Sequence, residues 1–512
     1  MRCRTLAQEL KRRGSTVSFL CRRQPGDLIG LLEQDFHVLA LPELPMASHE
    51  GLHGRNLYGA WLGCSQAQDA ADCLQVLQQA GISIADGLVV DHYALDAQWQ
   101  AQLLDGLAQP KLLVVDDLSD RPHLANLLLD QNFFEEATAD RYGSLVPTAC
   151  GQLLGPHYAL LSPEYAQLSQ LVPARCEMRR ILVFFGGVDP DNLTGRALDA
   201  LQAPELADLT VDVVLGLQSP HREAVTEQVA QRPNTSLHRP LPSLAGLIAR
   251  ADLAIGAGGA TTWERACLGL PSLVVTIADN QLPCVEALDK AGHVQLLGSS
   301  KDVGADQIQL ALILALQQPW PRGCGQDLCD GWGAGRVATS LLGCQLPLQL
   351  RPATASDEAL LLRWANDREV RTNSFSPAPI APDDHHQWFQ NGLADANRLH
   401  LIASDPTGCP LGQIRFDRQP PDSAKQPCEA LIDLSLDRCA RGLGLARGMT
   451  RLALQVMEQK WGPDVDAVAE VLADNAASHA TFAKLGFRID NSDDCPPPQG
   501  ATRWRWKTGS QC

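Results

Sequence analysis

A glycine-rich turn between two apolar runs is the part of the sequence best suited to bind a phosphate. Residues 253–255 and 273–277 are apolar, and the segment between them opens on the turn GAGG, which includes Gly258 and Gly259. This order predicts a strand, a turn, a helix and a second strand, with the glycines where the helix begins. Glycines let the backbone approach an anion closely, and the N–H groups of a helix N-terminus donate to it.

Polar side chains flank this turn on both sides. Thr261 and Thr262 follow the glycines and offer hydroxyl donors, while Glu264 lies one turn into the helix. A carboxylate accepts two hydroxyl protons, so Glu264 suits a sugar diol. Asn280 and Gln281 follow the second apolar run and are expected to point into a cleft. The glycine spacing alone is equally consistent with a plain tight turn.

A second turn of the same kind comes earlier in the chain. The apolar residues 180–185 run into Gly186-Gly187, and Asp189 follows just before a predicted helix that begins near residue 191. This turn and the one at Gly258 are expected to line one face of a domain, which we interpret as the nucleotide-binding side.

Polar residues also end two predicted strands near the N-terminus. Asp91, His92 and Tyr93 follow one apolar run, and Asp116 and Asp117 follow another. Because ligands of parallel α/β sheets lie beyond the carboxyl ends of the strands, these residues predict a site in one crevice. Two structural alternatives remain open: Asp117 could cap a helix, and Tyr93 could wall a core.

A third loop-to-helix junction lies near the C-terminus. Residues 429–436 alternate apolar and polar side chains, and Arg441, Gly442, Gly444 and Ala446 then open a predicted helix. The helix-start N–H groups of such a loop can bind a pyrophosphate, although the pattern alone is a weak signal.

The elements that must position these residues indicate an α/β protein. Strands and helices alternate over residues 1–160 and 161–346, which predicts two Rossmann-like domains with doubly wound parallel sheets. The first opens on a helix instead of a strand. After a segment rich in Gly, Pro, Cys and Trp at 319–335, residues 347–512 read as an α+β domain.

Composition narrows the class of protein further. A chain of 512 residues suggests about three domains at ~150 residues each. The net charge of −17 argues against nonspecific binding to nucleic acid or anionic membranes. The sequence contains no apolar run long enough to span a bilayer, and its 16 cysteines are scattered without CxxC pairs. We therefore expect a cytoplasmic enzyme without a metal site.

The motifs of the first two domains resemble a known family. The strings IGAGG, TTWER, CLGLP and IADNQ, together with VVDHYALDAQW and VVDDLSDRPH, are similar to the UDP-sugar hydrolases of pseudaminic acid biosynthesis, relatives of the GT-B glycosyltransferases. The resemblance implies that UDP is hydrolysed from a UDP-2,4-diacetamido-2,4,6-trideoxyhexose without a metal. It also implies that Tyr93 and Asn280 position the sugar and water, that Glu264 holds the ribose and that Thr261 holds the phosphates.

The chain departs from that family at its beginning. Arg2-Cys3 looks like an Arg-Cys pair that, in the family, follows a first strand and a glycine-rich loop bearing a histidine. That histidine is expected to act as general base and would lie upstream of Met1. We expect the strand and the loop there; a shortened, weak or inactive hydrolase half is the alternative.

The third domain resembles the GNAT N-acetyltransferases. The Arg441–Ala446 loop, Asn475 and the ending FAKLGF carry this resemblance, and LRPATASDEALLLRWANDREVRTNSFS is similar to the nucleotide-aminosugar acetyltransferases of the same pathway. The resemblance implies that the loop and Asn475 bind acetyl-CoA and that splayed strand backbone near Leu434 and Leu436 binds its pantetheine arm. In that pathway the acetyltransferase acts on the 4-amino group of the UDP-sugar, before the hydrolase removes UDP.

One position of the third domain departs from its family. Many relatives carry a tyrosine, the general acid for the leaving thiolate, where this chain has Phe482. Phenylalanine cannot donate a proton, so Glu429, Asp433 and His479 become candidates, each with a structural role as the stronger interpretation.

Three other functions are compatible with the sequence. The first two domains could form a glycosyltransferase, since transfer and hydrolysis need the same UDP cradle. The same domains could be a noncatalytic module that binds nucleotide sugars. The third domain could acetylate a protein terminus or another amine.

Overall fold

The computed structural model describes residues 1–24, 26–44, 54–134, 140–216, 218–239, 241–317, 325–343, 347–419, 428–490 and 497–507. The chain divides into two compact units, Met1–Leu341 and Leu342–Cys512. The first two predicted domains thus fall in one unit, and their boundary at residue 160 stays a prediction. The predicted boundary at residues 346 and 347 lies next to residues outside those described.

The N-terminal part of the first unit alternates strands and helices. Its strands are β1 (Ser18–Arg22), β2 (His37–Leu41), β3 (Gly87–Val90), β4 (Lys111–Val115), β5 (Leu127–Asp130) and β6 (Gly151–Leu154). Its helices are α1 (Arg2–Arg12), α2 (Ile29–Leu32), α3 (Gly54–Leu62), α4 (Gln66–Gln79) and α5 (Ala97–Gly106). Side-chain caps fix two of the starts, because Ser65 accepts the N–H of Gln68 and Asp96 accepts that of Gln98.

These strands form two parallel sheets, the pair β1-β2 and the four-stranded sheet β3-β4-β5-β6. No ladder joins the two sheets within the described residues, yet their side chains share one core, in which Leu39 and Leu41 pack with Val90 and Leu112. Side-chain packing, and not backbone pairing, therefore joins the two sheets in the described part of the chain.

The rest of the first unit is built on a six-stranded parallel sheet in the order β12-β11-β10-β7-β8-β9. Its strands are β7 (Arg180–Phe184), β8 (Thr210–Val214), β9 (Thr235–His238), β10 (Leu253–Ala257), β11 (Ser272–Thr276) and β12 (Gln295–Ser299). Its helices are α6 (Pro163–Ser169), α7 (Leu193–Ala200), α8 (Arg222–Gln231), α9 (Ala245–Arg250), α10 (Thr261–Cys267), α11 (Leu282–Lys290), α12 (Ala305–Gln317) and α13 (Gly333–Leu342).

Burial explains why this sheet reads as apolar runs in the sequence. Every residue of β10 and β11 is buried, as expected for central strands covered on both faces. The two strands are parallel neighbours, so the glycine turn after β10 and the segment Asp279–Gln281 after β11 leave the same edge of the sheet.

The second unit has a seven-stranded sheet in the order β13-β14-β15-β16-β17-β19-β18. Its strands are β13 (Gln349–Pro352), β14 (Arg398–Ser404), β15 (Pro410–Gln419), β16 (Cys428–Leu436), β17 (Val465–Leu472), β18 (Arg488–Ile489) and β19 (Ala501–Trp506). Its helices are α14 (Glu358–Ala365), α15 (Arg368–Thr372), α16 (Pro382–Ala394), α17 (Leu445–Trp461) and α18 (Ala476–Lys484).

A parallel pair interrupts this otherwise antiparallel sheet. β16 and β17 are paired only from Cys428↔Val465 to Leu431↔Val468, after which β17 pairs with β19 alone. The last residues of β16, including Leu434 and Leu436, remain paired with β15 on their other side. The two strands therefore separate and leave one backbone edge of β16 open.

The predicted α/β class, with parallel sheets followed by an α+β domain, is confirmed. One helix begins later than predicted: α7 starts at Leu193, because Asn192 in a left-handed conformation caps it through the N–H of Gly195. Among the helices that the structure describes, none has both the length and the apolar character needed to cross a bilayer.

Candidate functional site

The start of the chain meets the ends of β3 and β4. Nε and Nη2 of Arg2 donate to the carboxylate of Asp91 at 3.1 and 2.7 Å, and Nη1 donates to Asp117 at 3.4 Å. Sγ of Cys3 lies 3.1 Å from Asp91. The Arg2-Cys3 pair is therefore held against the polar strand ends at the start of α1.

Tyr93 connects these strand ends with the segment that follows β11 in the six-stranded sheet. Its hydroxyl donates to Oδ2 of Asp117 at 3.0 Å and accepts a hydrogen bond from Nδ2 of Asn280 at 3.4 Å. The two residues proposed from the sequence as catalytic, far apart in the chain, are thus in contact. We call Arg2, Asp91, Tyr93, Asp117 and Asn280 the strand-end cluster.

Asp117 is a buried carboxylate of this cluster with a shifted pKa. Burial raises its pKa above the ordinary value, and the charge of Arg2 and the Tyr93 hydroxyl act against that rise. Within the described part of the chain, Oδ1 of Asp117 is buried and has no hydrogen-bond partner. The cluster therefore contains one buried carboxylate oxygen with unused capacity to accept a proton.

His92 has a local role next to the cluster. Its Nδ1 accepts the backbone N–H of Ala94 at 3.1 Å, and burial lowers the pKa of the ring. The imidazole is therefore neutral at physiological pH and orders the turn that follows β3. Asp116 is held by Arg121 at 2.7 Å beneath the strand ends.

The glycine turn lies directly beside Gln281. A Cβ added to Gly258 would lie 2.5 Å from Cγ2 of Val285, and one added to Gly259 would lie 3.7 Å from Nε2 of Gln281. Gln281 in turn accepts the backbone N–H of Ile277 at 3.1 Å. The turn can therefore hold only glycine at position 258 without displacing α11.

The two threonines after the turn have different surroundings. Thr262 is buried and its hydroxyl accepts from Arg265 at 3.1 Å, while Arg265 also donates to the carbonyl of Ala257 at 2.8 Å. Burial lowers the pKa of Arg265 to about 10. Thr261 is half-buried at the first position of α10, where Ala260 supplies no side-chain cap. Thr262 thus fixes the base of the turn, and Thr261 is the hydroxyl nearest the helix start.

Glu264 is an ionisable group with unused hydrogen-bonding capacity. Its Oε2 is buried and has no hydrogen-bond partner among the described residues. Burial raises the pKa of Glu264 to about 7, against the opposing effects of Tyr165 and Arg265. A buried acceptor without a partner is costly, so this carboxylate suits a ligand that supplies hydroxyl donors.

The turn at Gly186 and Gly187 is organised by Asp189. Its buried carboxylate accepts the N–H groups of Leu193 and Thr194, both at 2.9 Å, at the start of α7. The helix N–H groups that the sequence offers to a phosphate at this junction are therefore partly taken by Asp189 itself. A Cβ at Gly186 or Gly187 would meet nothing within 4 Å, so the backbone there faces open space.

The junction before α17 has the features of a pyrophosphate cradle. Gly442 and Gly444 both have φ of +74°, and Gly444 is the N-cap of the 17-residue α17 without a side-chain cap. A Cβ at either glycine would meet nothing within 4 Å. The first N–H groups of α17, beginning near Ala446, therefore have no competing cap, and the residues present fit the pyrophosphate of acetyl-CoA.

Arg441 and Asn475 make protein contacts in this region. Nη1 of Arg441 lies 2.8 Å from both Asp367 and Glu369, so its guanidinium is directed at α15. The side-chain carbonyl of Asn475 accepts the N–H of Ser478 and caps α18. Acetyl-CoA would meet the backbone of this loop more readily than the Arg441 side chain.

Arginines engage two of the groups considered as a general acid for the acetyltransferase. Glu429 is paired with Arg503 and, at 2.5 Å, with Arg505. Asp433 lies 3.2 Å from Arg415. These ion pairs agree with the structural role that is the stronger interpretation for both residues.

The two rings near the end of the domain are also in structural roles. Nε2 of His479 lies 3.1 Å from the carbonyl of Leu472, and its Nδ1 lies 3.1 Å from the indole N–H of Trp504. Both ring nitrogens of His479 are therefore engaged in contacts within the protein. Phe482 is buried with its ring centroid 5.0 Å from that of Phe487.

Two residues beside the candidate site were missed by sequence reasoning. Arg141 donates to the carbonyl of Asp117 at 3.1 Å, and its guanidinium lies 3.8 Å from the ring centre of Phe134. Tyr165 lies beside Glu264. Arg141 lies in a turn that is not a glycine-rich helix start, and Tyr165 lies in α6, so neither belongs to the motifs that the sequence singles out.

The chain is an α/β protein whose first unit is built on parallel sheets and whose second unit is built on a mostly antiparallel sheet. Residues 348–488 match the family model described as an acetyltransferase (GNAT) domain. The match begins next to the boundary predicted at residue 347 and covers the open edge of β16 and the α17 junction.

The N-terminal part is related to curated proteins. It is 32% identical over 193 residues to the spore coat polysaccharide biosynthesis protein SpsG of Bacillus subtilis (strain 168), an alignment that covers 36% of this chain and 57% of that protein. A longer alignment, 22% identical over 355 residues, covers 65% of this chain and 67% of an uncharacterized protein of Methanocaldococcus jannaschii. The chain thus joins a relative of SpsG to a GNAT domain, as the motifs predict.

Solved structures are similar in part. The MurG structure from Acinetobacter baumannii is matched with a TM-score of 0.45 and 15% identity over 67% of this chain and 95% of that one.

Proposed function

We propose that this chain is a bifunctional nucleotide-sugar enzyme. Its first unit would hydrolyse UDP from a UDP-2,4-diacetamido-2,4,6-trideoxyhexose, and its GNAT domain would acetylate the 4-amino group of the precursor with acetyl-CoA. The contact between Tyr93 and Asn280 is the observation that carries the first half, because it joins polar strand ends of two sheets at one point. The GNAT family match and the uncapped start of α17 support the second half.

In the hydrolase half, water would attack the anomeric carbon as the bond to the diphosphate breaks. The backbone N–H groups after Gly258 and the hydroxyl of Thr261 would stabilise the charge that grows on the departing UDP. Tyr93 and Asn280 would hold the sugar and the water, and Glu264 would accept the ribose hydroxyls.

In the acetyltransferase half, acetyl-CoA supplies an acetyl thioester. Backbone N–H groups around Gly442 and Gly444 would hold its pyrophosphate, and the open edge of β16 at Leu434 and Leu436 would bind its pantetheine arm. These contacts fix the thioester in reach of an amine, which is the positioning that acyl transfer requires.

The test follows both products from one substrate. The full chain is incubated with a UDP-4-amino-sugar and acetyl-CoA, and the products are followed by mass spectrometry. Free coenzyme A is expected first, and free UDP and the N-acetylated sugar afterwards. An added acceptor that received the sugar would indicate a glycosyltransferase instead. Acetylation of peptides but not of the UDP-aminosugar would reject the second half.

The raised pKa of Glu264 predicts how UDP binding depends on pH. Since a carboxylate accepts ribose hydroxyl protons and its pKa in the folded protein is about 7, UDP affinity should rise between pH 6 and pH 8. Ionisation of a group with that pKa would change the affinity by about tenfold over this range. Isothermal titration at several pH values measures the change.

Replacement of Glu264 by glutamine separates this effect from titration of the diphosphate. In E264Q the part of the pH dependence of UDP affinity that comes from the carboxylate should vanish. Any pH dependence of the affinity that remains then comes from titration of UDP itself. The folded-state pKa is raised, so Glu264 stabilises the fold less as pH rises through about 7, and E264Q should resist unfolding better than the natural chain at pH 8. Equal pH profiles for the two proteins would remove Glu264 from the ribose site.

A further inference from the structure

Three aromatic rings meet next to the strand-end cluster. The ring centroid of Tyr58 lies 5.0 Å from that of Tyr93 and 5.1 Å from that of Trp61, and Trp61 and Tyr93 are 6.4 Å apart. Trp61, near the end of α3, is 40% exposed. Such rings offer an apolar face to a flat ligand, and the Tyr93 hydroxyl places that face beside Asn280.

A cavity opens behind Tyr93. Its volume is about 170 Å³, and it is lined by Gly59, Leu62, Cys64, Gln66, Tyr93 and Ala94. It is smaller than the roughly 300–1,000 Å³ of sites for whole drug-sized ligands, so it fits a substituent rather than a nucleotide. The ring of Tyr93 is thus shared between this cavity and the strand-end cluster.

The lining of the cavity is of mixed polarity. Leu62, Ala94 and the Tyr93 ring are apolar. Gln66 accepts the backbone N–H of Asp96 at 3.1 Å through Oε1, which leaves its amide nitrogen as a donor. A substituent with a methyl group and a carbonyl matches both kinds of surface, whereas a hydroxyl group would leave the apolar part empty.

Gly59 keeps the cavity open. It lies in the middle of α3, where glycine is a weak helix former, and its backbone does not need glycine, because its φ is not positive. A Cβ there would meet nothing within 4 Å. A larger side chain at this position therefore has room to occupy the cavity that Gly59 lines.

We propose that α3 forms a sugar-specificity subsite, in which Tyr58 and Trp61 pack on the sugar ring and the cavity beside Gly59 binds its acylamino substituent. The inference rests on the proposed function and names the part of the substrate that this helix selects. The acylamino methyl group packs against Leu62 and Ala94, and its carbonyl faces the amide of Gln66.

The test compares UDP, UDP-glucose and UDP-N-acetylglucosamine, because the two sugars differ only in a hydroxyl against an acetamido group. By isothermal titration the natural chain should bind the acetamido sugar more tightly by at least about tenfold. Gly59→Leu fills the cavity and should abolish this preference while the Kd for UDP stays unchanged. Trp61→Ala should weaken both sugars and leave UDP unaffected.

Gly30→Leu is the matched control. Gly30 also lies in a helix of the same part of the chain, is exposed, and has nothing within 4 Å of an added Cβ. This variant should retain the preference for the acetamido sugar. The subsite is overturned if the preference for the acetamido sugar survives in Gly59→Leu, or if the natural chain shows no such preference. In either case UDP binding would still support the proposed function. A chain that binds no UDP overturns the proposed function itself, and the subsite with it.

Discussion

Replacement of Gly444 by valine is expected to weaken acetyl-CoA binding strongly. The N-cap of α17 has φ of +74°, a conformation that valine resists, and its Cβ would enter the open space before the helix. A pyrophosphate in that space would lose charge-assisted hydrogen bonds from backbone N–H groups, a loss of about 3 kcal/mol or about 100-fold in affinity. Isothermal titration of coenzyme A into the full chain measures it, and acetyl transfer should fall in parallel.

The other end of the same helix supplies the control. Gly462 caps α17 at its C-terminus with φ of +84° and also has nothing within 4 Å of an added Cβ. Gly462→Val therefore introduces the same kind of backbone strain without touching the loop. It should reduce the melting temperature as Gly444→Val does and leave coenzyme A binding intact. Equal losses of binding in both variants would mean that strain, and not the cradle, is responsible.

Local chemistry made much of the site predictable. Strands that are buried on both faces read as apolar runs, so the positions of β10 and β11, and of the polar residues that follow them, can be inferred. Parallel neighbours place those residues at one edge of the sheet, and in the structure Gly258 and Gln281 lie side by side there. The loop at Gly444 was equally predictable, because left-handed glycines before a helix are visible as a local pattern in the sequence.

Side-chain pairing could not be predicted in the same way. The sequence offers Asp189 to a ligand, yet its carboxylate accepts the first N–H groups of α7. Arg441 was assigned to acetyl-CoA, but its guanidinium is paired with Asp367 and Glu369. Each of these choices depends on which partner the tertiary fold brings within hydrogen-bonding distance, and spacing along the chain does not contain that information.

The separation of β16 from β17 was predictable only in part. The resemblance to GNAT proteins implied open backbone near Leu434 and Leu436, and the structure ends the ladder at Leu431↔Val468. Beyond that point the partner of β17 among the described residues is β19, along Ala467 to Leu472. That strand comes last in the chain, so the sequence near β16 cannot reveal it.

Replacement of Tyr93 by phenylalanine is expected to stop UDP release while UDP binding persists. The change removes one oxygen, which donates to Asp117 at 3.0 Å and accepts from Asn280 at 3.4 Å. Without this oxygen, Asn280 and Asp117 are no longer linked by a hydrogen-bonding atom. The proposed site then lacks the hydroxyl that would position both the sugar and the water. A positioned proton donor or acceptor is worth about 100-fold or more in rate, so kcat should fall by at least that factor.

Asp117 adds a pH signature that a merely structural role for Tyr93 would not show. Burial raises the pKa of Asp117, and its ionised form accepts the Tyr93 hydrogen bond more strongly than its neutral form does. In the natural chain kcat should therefore fall as pH drops through that raised pKa, and Asp117→Asn should give a flat profile at a lower rate. The raised pKa also means that the contribution of Asp117 to stability is greatest below its ordinary pKa and is lost as pH rises through the folded-state value.

Tyr142→Phe is the matched control, because the Tyr142 hydroxyl also donates to a buried aspartate, Asp130, at 3.0 Å. This tyrosine lies outside the strand-end cluster. Its loss should reduce the free energy of unfolding by about 1 kcal/mol and leave kcat nearly unchanged. If Tyr142→Phe slowed UDP release as much as Tyr93→Phe, the effect would belong to the packing of the domain. If Tyr93→Phe kept full activity, the contact between the two sheets would not be the catalytic centre, and the hydrolase half would need another site.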